Sequence, residues 1–297
     1  MSPDRGSPAR ARLAVLGAAV LWSTSGACIK NLGLNTWQIA SGRGLFAALV
    51  LAALVPEARR GWASRGVLAV AVAYAATTIL YVWANTLTTS ANAIFLQDVA
   101  PLWVLLLGPW LLRERPTRAE VRIAPVYLAG SALFFLDQLK PEHAAGNAVA
   151  IGSGIAFALL IVGLRHLRDG GAEAAVLAGN VLAFLIPLPL ALGGPLPTGK
   201  DVALLAYLGV FQLGLAYVLF IRGLRGVSAL EGSLLALLEP ILNPIWALVF
   251  AGERPGPWAI AGGAVILGAT ALRIVTAPAQ PPAEPSAGPP AAEVRGP

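Results

Sequence analysis

Three ionisable side chains, Arg43, Asp98 and Glu239, lie inside long apolar stretches of this sequence. A charge inside a lipid bilayer costs at least about 2.5 kcal/mol, so such residues usually pair with one another or mark a pathway for ions or solutes. Arg43 and Asp98 each lie seven residues from the start of their stretch, which predicts an interaction at matching depth. Either the two form a permanent ion pair, or Arg43 orients Asp98 or makes a bidentate contact with a substrate carboxylate.

Glu239 directly precedes Pro240, near the middle of another apolar stretch. Because proline has no N–H, the carbonyl of Ala236 loses its helical hydrogen bond. A carboxyl group at this place could bind a cation or a proton, which makes the proton a candidate coupling ion. The alternative is a neutral acid that is hydrogen-bonded to the freed backbone. Pro101, Pro240 and Pro244 predict helix kinks, which could also act as gating hinges.

Polar and aromatic side chains within the apolar stretches are further candidates for substrate binding. Trp and Tyr at the ends of membrane helices usually anchor the interface, but several here fall inside the stretches, near polar neighbours. Tyr81 and Asn85 are four residues apart and therefore share one helical face. The complete set of predicted substrate-binding residues is Trp22, Ser23, Tyr81, Asn85, Asp98, Gln212, Tyr217 and Glu239.

Metal, redox and covalent chemistry are not expected. Cys28 is the one cysteine, so a disulfide framework and paired-cysteine metal sites are excluded. His143 and His166 lie in or beside loops without companions at ligand spacing. Serines occur in the apolar stretches, but no histidine accompanies them as a base. We therefore predict no cofactor, no metal site and no enzyme activity.

The composition indicates an integral membrane protein that has the lipid bilayer as its partner. Of 297 residues, 57% are hydrophobic and 12% charged, with a mean hydropathy of +0.72. The net charge is +6, but the arginines lie in short loops between apolar runs rather than on one basic face. Binding to nucleic acid is therefore not expected.

Windows of about 19 residues predict ten membrane-spanning helices. The predicted spans are residues 13–29, 36–55, 67–87, 91–112, 121–135, 146–164, 173–192, 202–221, 228–250 and 257–272. The segment 276–297 is rich in proline and alanine and has no apolar periodicity, which predicts a disordered tail.

An internal repeat divides the chain into two similar halves. Pro101 lies 13 residues before Glu114-Arg115-Pro116 ends its copy of the motif, and Pro240 precedes Glu253-Arg254-Pro255 in the same way, 139 residues later. We predict repeats at residues 13–138 and 146–275, after a cytoplasmic segment 1–12. The copies have diverged at the acids, since Asp98 aligns with Leu237, so a symmetric pair of carboxylates is not expected.

The distribution of basic residues predicts the orientation. If the N-terminus is cytoplasmic, 16 of the 21 Lys and Arg residues lie inside, four lie outside and Arg43 lies within a span. Both termini are then cytoplasmic. Because each repeat has an odd number of helices, the second repeat is inverted relative to the first, an arrangement typical of alternating access.

LWSTSGACIK in the first span, YVWANTLTTSANA around the third and fourth, and the proline–ERP block in both halves resemble the EamA-type branch of the drug/metabolite transporter superfamily. The resemblance implies an all-α fold of ten transmembrane helices in two inverted five-helix repeats. It also implies a central cavity lined mainly by helices 1, 3, 4, 6, 8 and 9, and export or exchange of small metabolites such as amino acids.

We therefore expect a multi-pass secondary transporter of the cytoplasmic membrane that moves a small organic metabolite, such as an amino acid or a related compound, by alternating access. The alternative within the same class is a multidrug exporter for lipophilic cations, which would use an acid and aromatic rings. A channel or a structural membrane protein is the alternative from another class. A monomer and a homodimer are both compatible with the sequence.

Overall fold

The computed structural model describes residues 8–62, 64–88, 90–114, 116–135, 144–242, 246 and 257–276, and every regular element in them is helical. The first half contains α1 (Pro8–Trp22), α2 (Ser25–Lys30), α3 (Thr36–Leu54), α4 (Arg65–Leu87), α5 (Ser90–Gln97), α6 (Ala100–Leu111) and α7 (Arg118–Phe135), with a 3-10 turn at Pro56–Arg59.

The second half contains α8 (Ala144–His166), α9 (Ala172–Leu185), α10 (Leu188–Ala191), α11 (Gly199–Tyr207), α12 (Ala216–Leu224), α13 (Ala229–Ala236) and α14 (Pro257–Thr276). A π-helical segment, Leu208–Leu215, joins α11 to α12 without a break. Residues 238–242 continue the direction of α13 as a further helical stretch.

Each predicted span coincides with helical residues in the part of the chain that the structure describes. Five stretches are long and apolar enough to cross a membrane: Thr36–Leu54, Arg65–Leu87, Ala93–Leu111, Ala144–His166 and Gly199–Leu224. The number of crossings, ten, therefore stays a prediction. α1 begins at Pro8, five residues before the predicted first span, while residues 1–7 and the predicted tail beyond Thr276 lie outside the described residues.

Polar residues at the helix starts explain several boundaries. The side chain of Asn35 accepts from the backbone N–H of Gln38, and Gln38 caps Asn35 in return, so α3 begins with a capping box. Thr198 and Asp201 form the same arrangement before α11. These caps replace helical hydrogen bonds that the first turn lacks.

Two long helices are interrupted at equivalent positions of the repeat. α5 ends at Gln97 and α13 ends at Ala236, which is 139 residues later, the same offset as between Pro101 and Pro240. Each proline deprives the carbonyl four residues earlier, that of Gln97 or Ala236, of its helical N–H donor. The interruptions therefore follow from the prolines, although a gating role stays a prediction. Pro244 lies outside the described residues.

Helix packing repeats between the halves. α4 packs against α8, and α12 packs against α1 in the corresponding way; α5 and α6 pack against α8, as α13 does against α1. α3 lies against α9, and α7 lies against α14. Exchanging the halves reproduces this set of contacts, as expected for two repeats that pack around a common centre, and the functional side chains meet at that centre.

Candidate functional site

A cavity at this centre brings together side chains from both halves. Its lining residues are Trp22, Arg43, Thr77, Thr78, Tyr81, Gln97, Phe157, Gln212, Leu213, Tyr217 and Glu239. The cavity volume is about 30 Å³. Because a water needs roughly 10–15 Å³ by this measure, the space holds roughly two waters. A metabolite therefore requires the helices to move apart.

Arg43 is the buried cation of this cavity. Its Nη2 donates to Oε1 of Gln212 at 2.6 Å. Its Nε and Nη1 groups are buried and have no hydrogen-bond partner among the described residues. A guanidinium with free N–H donors is suited to a planar anion, because two parallel N–H groups can hold both oxygens of a carboxylate.

The π-helical segment positions Gln212 opposite Arg43. π-helical turns are rare and occur frequently at functional sites, since the wider turn redirects side chains. The segment also approaches α3 closely, because a Cβ atom at Gly209 would lie 2.7 Å from the backbone oxygen of Arg43 and 2.4 Å from Cβ of Phe46. Glycine at this position therefore allows the backbone approach that brings Gln212 within hydrogen-bond distance of Arg43.

Aromatic rings form one wall of the cavity. The ring centroids of Trp22 and Tyr217 lie 5.0 Å apart, and those of Trp22 and Phe157 lie 5.8 Å apart. Tyr74 packs against Tyr217 with a centroid distance of 4.6 Å and donates to Oδ1 of Asn180 at 3.2 Å. Such a wall offers apolar surface to a ligand and attracts cationic groups at the ring faces.

Glu239 is the buried acid of the cavity. Its carboxyl group and the guanidinium of Arg43 act on each other electrostatically. However, no direct ion pair between them occurs in the described part of the chain. One positive and one negative group thus line the same small cavity without neutralising each other by contact.

Asp98 does not join Arg43, so the predicted Arg43–Asp98 pair is wrong for this structure. Asp98 lies in the interruption between α5 and α6 and lines a separate, smaller cavity with Ser131 and Pro240. Equal depth along two helices does not determine how each helix is rotated about its axis. The rotation places Arg43 toward Gln212 and Asp98 toward α7.

Six of the predicted residues line the central cavity: Trp22, Arg43, Tyr81, Gln212, Tyr217 and Glu239. Ser23 and Asn85 are absent from that lining. Ser23 donates to the carbonyl of Val20 and accepts from Nε1 of Trp246, while Asn85 donates to the carbonyl of Tyr81. Both amides and hydroxyls are thus used to complete helix backbone, a common alternative to ligand binding.

Sequence reasoning missed Thr77, Thr78 and Gln97, which also line the cavity. Ser153 connects two of these positions, since its hydroxyl contacts the carbonyl of Thr77 at 3.0 Å and Oε1 of Gln97 at 2.7 Å. The available signal was helical spacing, because Thr77 lies four residues before Tyr81 on the same face of α4.

A second group of charges lies at the ends of the helices that we predict to be cytoplasmic. Arg12 and Glu231 form a buried ion pair at 2.8 Å, and Glu114 contacts both Arg165 and Arg168. Arg165 also donates to the carbonyl of Leu224 at 2.6 Å. These contacts join the two halves at one end of the helices and agree with the predicted sharing of one membrane side by these loops.

Apolar helices around a small cavity with buried charges define an integral membrane protein of the transporter class, not an enzyme. The EamA-like transporter family matches residues 9–136 and 144–275, and the chain belongs to this family. Two matches in one chain are consistent with the two-repeat fold.

Several relatives support this classification. An uncharacterized protein of Pseudomonas aeruginosa is 29% identical over 283 residues, covering 91% of this chain and 95% of that protein. An uncharacterized transporter of Archaeoglobus fulgidus is 28% identical, covering 86% and 92%. A probable terminal-alkyne amino-acid exporter of Streptantibioticus cattleyicolor is 25% identical, covering 63% and 65%. One crystal structure shares the fold with a TM-score of 0.73 at 22% identity, covering 90% of this chain and 96% of that chain.

Proposed function

We propose that this protein is a secondary transporter that moves an amino acid or a related zwitterionic metabolite across the cytoplasmic membrane by alternating access, in export or exchange. The observation that carries this proposal is the pairing of a cation with free donors, Arg43, and an acid, Glu239, in one aromatic cavity. A zwitterion presents one group to each.

The carboxylate of the substrate is the partner that suits Arg43. One N–H group of Arg43 is engaged by Gln212, and the Nε and Nη1 groups lack partners among the described residues. A carboxylate would satisfy two of these donors at once and replace the desolvation cost of leaving them unpaired.

The ammonium group of the substrate is the partner that suits Glu239. Trp22 and Tyr217 contribute ring faces to the same cavity, which favour both an ammonium group and an apolar side chain. The name of the Streptantibioticus relative, a probable terminal-alkyne amino-acid exporter, fits a substrate with these groups.

Arg43 distinguishes this proposal from an exporter of lipophilic cations. A buried guanidinium repels a cation that brings no anionic group, because like charges in a low-dielectric site destabilise each other. An acid and aromatic rings alone would suit such a cation, whereas an acid together with Arg43 suits a zwitterion.

Alternating access follows from the geometry of the halves. The cavity lies between repeats 13–138 and 146–275, and its small volume excludes a metabolite until the halves rearrange. We infer that both termini face the cytoplasm, that ten helices cross the membrane, and that Pro101 and Pro240 allow the broken helices to bend during the exchange.

A counterflow assay tests the proposal. Purified protein in liposomes is loaded with unlabelled L-amino acids, and entry of a radiolabelled mixture of the same amino acids is followed. We expect transient accumulation that free amino acids inhibit, whereas their methyl esters, which lack the carboxylate, and their N-acetyl derivatives, which lack the ammonium group, inhibit poorly.

Two results would contradict the proposal. Stronger inhibition by tetraphenylphosphonium and the methyl esters than by free amino acids would indicate the exporter of lipophilic cations. Uptake that neither saturates nor shows counterflow would indicate a channel. Empty liposomes and liposomes with Arg43→Gln protein provide the matched backgrounds.

A further inference from the structure

The smaller cavity beside the central one contains two buried polar atoms without partners. Oδ2 of Asp98 and Oγ of Ser131 form no hydrogen bond with any described residue. Asp98 is 4% exposed and Ser131 is 6% exposed. Both line the same cavity, with Phe95, Pro240 and Ile266 as its apolar walls. Buried side chains of native proteins are usually satisfied, so these two atoms point to an occupant.

The size and chemistry of the cavity restrict that occupant. Its volume is about 10 Å³, roughly the minimum for one water. A hard metal cation takes about six or more oxygen ligands, whereas the described lining offers the side-chain oxygens of Asp98 and Ser131. A proton on the carboxyl group, with one water between the two side chains, needs no further ligands.

The charges around Asp98 also favour a bound proton. The ionisable group that acts on Asp98 is Glu239, which has the same sign of charge when ionised. Two carboxylates that share a buried region resist double ionisation. Arg43 acts on Glu239, in the larger cavity, and forms no ion pair with Asp98. The positive charge is therefore placed to keep Glu239 ionised, which leaves the proton to Asp98.

We propose that Asp98 and Ser131 form a proton-binding site that is separate from the substrate cavity. In this conformation Asp98 carries the proton and a single water links it to Ser131. The site deepens the proposed function, on which its role in coupling rests, because it names the proton as the coupling ion. Protonation of Asp98 itself does not depend on the identity of the substrate.

Adjacent residues connect the two sites. Glu239 lines the substrate cavity and Pro240 lines the proton site. Because both belong to one broken helix, a movement that opens the substrate cavity at Glu239 also moves the wall of the proton site. Water then reaches Asp98 and the proton is released, so substrate movement and proton movement share one conformational change.

Infrared difference spectroscopy tests the protonation directly. At pH 7 the protein in lipid should show the C=O stretching band of a protonated carboxyl group, and labelling of aspartate with ¹³C should shift this band. Asp98→Asn should remove the band, Glu239→Gln should retain it, and Ser131→Ala should change its frequency because a hydrogen-bond partner is lost.

The labelled wild-type protein keeps the proposal falsifiable even if Asp98→Asn does not fold. A wild-type spectrum without a protonated-carboxyl band at pH 7, or a band that aspartate labelling does not shift, would overturn the proposal. So would a band of unchanged intensity in folded Asp98→Asn protein, or an unchanged frequency in Ser131→Ala.

The coupling is tested in liposomes with the radiolabelled mixture of L-amino acids. In the wild type, a pH gradient should raise accumulation severalfold over accumulation without a gradient. In Asp98→Asn this ratio should fall to about one, since a site that cannot change its proton occupancy cannot couple to the gradient.

The two proposals fail in different ways. If the wild type shows no counterflow of amino acids, the proposed substrate class is wrong, and the infrared result still decides whether Asp98 holds a proton. If counterflow is present and Asp98→Asn retains the wild-type gradient ratio, the coupling role of Asp98 is overturned while the substrate class stands.

Discussion

The buried ion pair between Arg12 and Glu231 should contribute to stability through the cost of breaking it. It joins α1 of the first half to α13 of the second, with a distance of 2.8 Å and side-chain exposures of 7% and 2%. We consider the single substitutions Arg12→Met and Glu231→Gln and the combination of both. Each single substitution leaves one buried charge without its counter-ion.

The expected magnitude follows from this burial. At 2.8 Å and an effective dielectric constant of about 20, the attraction is about 6 kcal/mol, and desolvation of the two ions offsets much of it. Removing one partner keeps the desolvation cost of the other and should therefore destabilise the protein by about 3–5 kcal/mol. Replacing both removes that cost as well, so the double variant should recover most of the loss.

Unfolding in mixed detergent micelles, followed by tryptophan fluorescence, measures the free energies of the four proteins. The matched control is the pair of Arg225 and Glu173 at 2.5 Å, whose side chains are 47% and 12% exposed. Solvent screening should limit the effect of Arg225→Met to about 0–1 kcal/mol.

Additive losses in the Arg12 and Glu231 cycle would refute the reasoning. Equal losses in the buried pair and in the control pair would refute it as well, because the predicted difference depends on burial alone.

Three further predictions concern the site, its packing and the topology. Arg43→Lys should raise the half-saturating amino-acid concentration in counterflow about 10- to 100-fold, since a lysine cannot make the bidentate contact. Gly209→Ala should destabilise the protein by about 1–3 kcal/mol in the unfolding assay, because its Cβ would lie 2.7 Å from the backbone oxygen of Arg43. In a Cys28→Ala background, Leu196→Cys should react with an impermeant thiol reagent from outside intact cells, and Asp169→Cys should not.

Each of these predictions has its own control. Gln212→Glu should leave counterflow weakened, because a second carboxylate at 2.6 Å would compete with the substrate for Arg43. Gly268→Ala is the control for Gly209, since nothing lies within 4 Å of its added Cβ, and equal destabilisation by both would contradict the packing argument. Labelling of Asp169→Cys from outside would reverse the predicted sides, and an unchanged half-saturation in Arg43→Lys would remove Arg43 from the substrate contact.

The sequence alone determined the helices and their repetition. Long apolar runs have one stable form in a bilayer, because a helix satisfies its own backbone hydrogen bonds, so hydropathy predicted the positions of the helical segments. Pro101 and Pro240 predicted kinks, and the described residues show interruptions at Gln97 and Ala236, since the missing N–H is a covalent property of proline.

The tertiary structure decided which side chains meet. Depth along a helix can be counted from the sequence, but rotation about the axis depends on how all helices pack together. Arg43 was predicted beside Asp98 and instead contacts Gln212, which a π-helical turn places in reach. Arg12 and Glu231 are 219 residues apart and meet because α1 packs against α13. Such contacts depend on packing between distant segments, and no local pattern of the sequence specifies them.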